Sequence, residues 1–119
     1  MPQRLVSFDI DGTLEIGDPP GEVSLDSVRR AINLGYIVGS CSDRPLSVQQ
    51  RLWAATDIEV HFTVLKQHLL EVRSRFLVDH YLHIGDTPID RMMALDAGFD
   101  FVHVIEDDLD AMLRAHGLR

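Results

Sequence analysis

Short apolar runs alternate with amphipathic segments along almost the whole chain, and turn-forming or polar residues follow each run. That alternation is the sequence form of repeated strand–helix–strand units, which build a parallel sheet with helices packed on its faces. The runs predict five strands, at residues 4–9, 36–41, 59–62, 80–85 and 101–105. Helices fall between them. Ser24 is an N-cap for a helix through Leu34 with Gly35 as its stop. Residues 46–55 form the next, after the turn "SDRP". Residues 67–76 form a third, with Leu69, Leu70, Val72 and Phe76 facing inward. Thr87 followed by Pro88 is a cap and first-turn pair for a helix to Ala97, stopped by Gly98. A last helix covers residues 107–116, with Glu106, Asp107, Asp108 and Asp110 as its acidic start. The expected fold is α/β: one three-layer, Rossmann-like domain over residues 1–119 with a central parallel sheet of about five strands.

At 119 residues the chain can bury a real core without a disulfide or a structural metal. Its single cysteine, Cys41, lies in an apolar strand and reads as inert packing suited to a reducing, cytoplasmic setting. No apolar run approaches the length of a membrane span, and the N-terminal run is broken too soon by aspartates to be a signal peptide. The net charge of −8 argues against a nucleic-acid backbone as the main partner. It leaves room for a small phosphate ester, because one metal ion and two cations can reverse the field locally.

The informative residues stand just past the strands. Asp9, Asp11, Gly12 and Thr13 follow the first, and Ser42, Asp43 and Arg44 follow the second. Lys66 opens the helical segment after the third, and Asp86 and Asp90 follow the fourth. A parallel sheet brings all of these to one edge, where ligands bind in such folds. "DIDGT" at 9–13, Ser42, Lys66 and "GDTPID" at 85–90 resemble, in order, the four motifs of the haloacid dehalogenase superfamily. The resemblance covers nearly the whole chain.

The resemblance implies roles that the chemistry of each side chain suits. Asp9 is expected to be the nucleophile that forms an aspartyl-phosphate. Asp11 is expected to protonate the leaving alcohol and then to take a proton from water. Clustered carboxylates call for a hard cation, and oxygen ligands with phosphate chemistry point to Mg²⁺. Its implied protein ligands are a side-chain oxygen of Asp9, the backbone carbonyl of Asp11, and Asp86. Ser42 and Lys66 are expected on the phosphoryl oxygens, and Gly12 and Thr13 at the phosphate site with them, Gly12 letting the backbone turn after the acids and Thr13 supporting the turn or the phosphate. Asp43 and Arg44 are candidates for substrate contact, and Asp90 for orienting Lys66 or metal-bound water. Lys66 is the sole lysine beside ten arginines, which singles out the position for a compact ammonium.

Other residues read as structure: His83 as a packed strand residue, Met92 and Met93 as core and flank of their helix, and His61, His68, His80 and His103 as lacking metal-ligand spacing. No stretch is long enough for a cap domain between these motifs, so the chain resembles the small capless phosphatases of the superfamily. The 12–23 loop, with Glu15, Ile16, Asp18 and Pro20, is the only local flap candidate. An open site suits a large substrate, a permissive enzyme, or a homo-oligomer in which a neighbouring subunit covers it. The expected activity is Mg²⁺-dependent hydrolysis of phosphomonoesters on small molecules or macromolecules. The alternative is a non-catalytic phosphate- or Mg²⁺-binding domain, which has no need of Asp11. A phosphorylated receiver domain places its acids in a different order.

Overall fold

The computed structural model describes residues 3–119. Its single sheet has five parallel strands in the order β3-β2-β1-β4-β5. They are β1 (Arg4–Phe8), β2 (Ile37–Ser42), β3 (Phe62–Leu65), β4 (His80–Gly85) and β5 (Asp100–His103). The helices are α1 (Leu25–Asn33), α2 (Leu46–Thr56), α3 (Leu69–Arg75), α4 (Pro88–Asp96) and α5 (Leu109–Ala115). The expected three-layer α/β domain is therefore present. Among the described residues no helix is long and apolar enough to cross a membrane.

Alternation along β1 sorts the two cores. Val6 and Phe8 point into a cluster with Val28 and Ala31 of α1, Trp53 of α2, and Leu109 and Leu113 of α5. Leu5 points the other way, to Leu69 and Val72 of α3 and Ala94 of α4. Helices on both faces bury both sides of the central strands, so β1 is an almost continuous apolar run. The strand order reverses between β1 and β4, and their carboxyl ends carry Asp9 and Asp86. A crevice opens at such a reversal because the helices on either side leave in opposite directions.

Most boundaries match expectation to within two residues, and the exceptions have local causes. The third strand lies at Phe62–Leu65 rather than 59–62. Apolar residues alternate at Val60, Phe62 and Val64, so the sequence alone does not fix the frame. His61 settles it: its N–H donates to the Val38 carbonyl and its Nδ1 accepts from the Val38 N–H, pinning the chain before the ladder begins. The 67–76 helix begins as a 3-10 turn, Lys66–His68, and α3 buries Leu69 and Val72 while Leu70 faces out. Ile105 also lies outside, because the N–H groups of Ile105 and Glu106 turn back onto His103 Nδ1 and end the strand. Met92 is half exposed rather than core.

Candidate active site

Asp9 sits one residue beyond β1, and its N–H still donates to the Ile84 carbonyl at 2.9 Å, as a strand residue would. It is buried. Its Oδ1 accepts from the Ile10 N–H at 2.8 Å, and its Oδ2 faces Lys66 Nζ at 3.6 Å. Lys66 is also buried and lies 3.4 Å from Asp90 Oδ2 and 3.6 Å from Asp43 Oδ2. Burial works against its charge, but the carboxylates of Asp9, Asp90 and Asp43 outweigh that and raise its pKa.

Asp90 is fully buried and collects hydrogen-bond donors. His83 Nε2 donates to its Oδ1 at 2.9 Å. Its Oδ2 accepts from Thr87 Oγ1 at 2.8 Å, from the Thr87 and Asp86 N–H groups, and from Lys66. Thr87 in turn accepts from the Asp90 N–H, so the pair forms a capping box that starts α4. Burial opposes ionisation of Asp90, yet His83, Lys66 and Thr87 together hold it well below the usual carboxylate range. An ionised carboxylate only accepts, so His83 donates to it through Nε2, and its Nδ1 lies 2.9 Å from the Ser7 hydroxyl. Ser7, His83 and Asp90 thus line up like a hydrolase triad, but all three are buried beneath the site and no substrate reaches Ser7. His83 is a packed strand residue, as expected, with the added task of fixing Asp90.

The donor set fits a divalent cation. Asp9, Asp86 and Asp90 each offer an oxygen, all within 4.8 Å of one another. Asp90 has spent both oxygens on protein donors, whereas Asp86 Oδ1 is buried with no partner among the described residues. The Asp11 carbonyl accepts no hydrogen bond among the described residues. Those free oxygens, with Asp9, are the ones expected as ligands. Gly12, at φ +74°, lets Asp86 lie against the backbone: a Cβ there falls 1.9 Å from Asp86 Oδ2. Thr13 is fully buried and its hydroxyl also lacks a partner. Gly12→Ala is expected to cost about 1–3 kcal/mol of stability and to weaken Mg²⁺ binding at least about tenfold. Gly35→Ala is the control, because Gly35 has φ +87° but open space around it. It should lose stability with no change in Mg²⁺ affinity, read by urea unfolding and Mg²⁺ titration.

Burial first, then the charge of Asp90, push the Asp9 carboxyl up to about 9 against the pull of Lys66. Such a group holds a proton at neutral pH and is a poor nucleophile until a cation offsets its surroundings. The folded chain keeps a proton that the unfolded chain releases near pH 4. Metal-free stability is therefore expected to fall as pH rises from about 4 to about 9, with Mg²⁺ flattening the slope. Urea unfolding at a series of pH values, with and without Mg²⁺, measures this.

Asp11 lies at the mouth. Arg44 grips it, with Nε 2.9 Å from Oδ2 and Nη2 2.8 Å from Oδ1, and the Asp18 N–H adds a bond of 2.8 Å to Oδ1. Hydrogen bonding from Arg44 holds the carboxyl below its ordinary range despite partial burial. Ser42 is buried, and its Oγ accepts from the Arg44 N–H, which leaves the hydroxyl proton free to donate into the site. Asp43 is exposed and, as an acceptor, bears on the site through Lys66 rather than by bonding phosphate. The 12–23 loop is anchored by fully buried Leu14 and Val23, with its tip over Asp11.

A cavity of about 160 Å³ lies among Asp9, Asp11, Ser42, Lys66, Asp86 and Thr87. A larger hollow of about 630 Å³, beside Trp53, His61 and Arg75, lies by the start of β3 and holds none of these groups. The structure thus brings Asp9, Asp11, Ser42, Asp43, Lys66 and Asp86 around this cavity, with Arg44 bonded to Asp11 and Asp90 to Lys66, while Thr13 is buried in its turn and does not line it. Sequence reasoning missed how fully His83 and Thr87 engage Asp90. No family model matches the chain, and no curated protein matches it.

Proposed function

We propose that the chain is a Mg²⁺-dependent phosphomonoester hydrolase of the haloacid dehalogenase type, working through an aspartyl-phosphate on Asp9. The observation that carries this reading is the buried Asp9 set between Lys66 and the unpartnered oxygen of Asp86, at the rim of a phosphate-sized cavity. Asp9, Asp86 and the Asp11 carbonyl would hold Mg²⁺, which offsets their mutual repulsion and the charge of the phosphoryl group. Asp9 attacks phosphorus, and the bond from phosphorus to the ester oxygen breaks. Asp11 gives the departing oxygen a proton. Water then attacks phosphorus, Asp11 takes its proton, and the bond from phosphorus to Asp9 breaks to release phosphate. Lys66 and the Ser42 hydroxyl steady the phosphoryl oxygens through both steps. Arg44 keeps Asp11 ionised in the free protein, which suits the second step. Before the first step Asp11 must take up a proton from solvent, after which its side-chain carbonyl oxygen still accepts from Arg44.

A reducing cytosol fits the buried Cys41, whose thiol is pushed up by burial and so resists oxidation. Turnover of a generic aryl phosphate, with and without Mg²⁺ and with Asp9→Asn as control, tests the proposal. Expected is hydrolysis that needs both Mg²⁺ and Asp9. No turnover, or turnover that survives in Asp9→Asn, contradicts it.

A further inference from the structure

Arg44 is held for a purpose that its bond to Asp11 does not exhaust. Its N–H donates to Ser42 Oγ at 3.1 Å, and its carbonyl accepts from Gln49 Nε2 at 2.9 Å. Gln49 is fully buried; it also donates to the Val64 carbonyl and accepts from Ser40 Oγ, which accepts from Trp53 Nε1. A buried polar network of this kind fixes a backbone position, here that of an arginine whose side chain is bonded to Asp11 at the cavity.

The guanidinium has two hydrogen-bonding edges. Asp11 occupies the edge made by Nε and Nη2. The other edge, made by Nη1 and the second Nη2 hydrogen, has no partner among the described residues, and the side chain is 28% exposed. That edge matches a carboxylate or a phosphate in bidentate fashion. Its position is also informative. The phosphoryl group must meet the buried Asp9 in the cavity of about 160 Å³. The alcohol part must then extend on the side of Asp11, the residue that hands it a proton. Arg44 is bonded directly to Asp11 there.

We propose that Arg44 is a specificity residue whose free edge binds a second anionic group on the leaving alcohol, so that the preferred substrates are small phosphate monoesters bearing a carboxylate or another phosphate near the ester oxygen. This rests on the phosphatase reading and names its substrate class. With no cap domain among the described residues, a fixed cation bonded to Asp11 supplies the selection that a cap would otherwise provide. A strongly acidic protein has few other ways to hold a doubly anionic molecule against its site.

The test compares kcat/KM for glycerol phosphate, phosphoglycerate and glycerol bisphosphate, which differ in the group borne at the far end, with an aryl phosphate as the reference. The wild type is expected to favour at least one of the two charged esters over glycerol phosphate by at least about tenfold. Which one it favours distinguishes carboxylate from phosphate. In Arg44→Met that ratio should fall to near one, and Arg44→Lys should keep part of it. The ratio cancels any general effect of the substitution on Asp11, and thermal unfolding of both variants checks the fold. Equal use of charged and uncharged esters by the wild type, with the aryl phosphate turned over, overturns the inference and leaves the phosphatase reading intact. A preference unchanged in Arg44→Met does the same. No turnover of any ester overturns both.

Discussion

Asp9→Asn is expected to lower turnover of any phosphate ester by at least about 10⁴-fold while making the metal-free protein more stable. The two effects have one cause. Asp9 is buried beside Asp90 and Asp86, with Lys66 as its one nearby cation among the described residues, so its charge is costly where it sits. An amide of the same shape removes that cost and the pH slope that goes with it. It also removes the proposed nucleophile and one proposed ligand of the cation. Mg²⁺ should therefore no longer raise the melting temperature of the variant. Thermal unfolding with and without Mg²⁺, alongside kinetics, reads all three. A variant that is less stable than the wild type without metal contradicts the electrostatic account of the site.

Asp90→Asn is expected to act in the opposite direction on stability and to lose on the order of 3 kcal/mol. Every group hydrogen-bonded to the Asp90 carboxylate is a donor: His83 Nε2, Lys66 Nζ, Thr87 Oγ1 and the N–H groups of Asp86 and Thr87. An amide must set its own N–H hydrogens against at least one of them, in a place no water reaches. Lys66 then loses the anchor that aims it at the cavity, and kcat should fall about 10²-fold. The pH dependence follows from the depressed pKa of Asp90. A carboxyl held lower in the folded state contributes stability that is present above the ordinary carboxylate range and lost as pH falls below about 4. Wild-type protein should show that acid loss more strongly than Asp90→Asn, in urea unfolding followed between neutral and acid pH.

Much of this was legible in the residues. The alternation of apolar runs and capped helices fixes a parallel α/β sheet, and chain order then brings Asp9, Ser42, Lys66 and Asp86 to one edge. Ser24 and Thr87 announce α1 and α4 because their caps are local chemistry, and both cap as expected. The β3 frame was not legible, since it depends on His61 meeting Val38 across the sheet. The depth of Leu70 and Met92 was not legible either, because helical phase depends on where a helix docks. At the site, the sequence reveals which side chains converge but not how they pair. That Asp90 takes five donors, or that Arg44 offers one edge to Asp11 and keeps another free, depends on ångström-scale placement by strands distant in sequence.

The central claim is that Asp9 carries the phosphoryl group, and chemical trapping tests it most directly. Protein turning over an aryl phosphate with Mg²⁺ is quenched in acid and reduced with borohydride, which converts an aspartyl-phosphate to homoserine. Peptide mass analysis then finds the modified residue. The account predicts reduction at residue 9, dependent on both ester and Mg²⁺, and more of it in Asp11→Asn, where the second step lacks its base. Turnover with residue 9 unmodified, or trapping at another carboxylate, would contradict it.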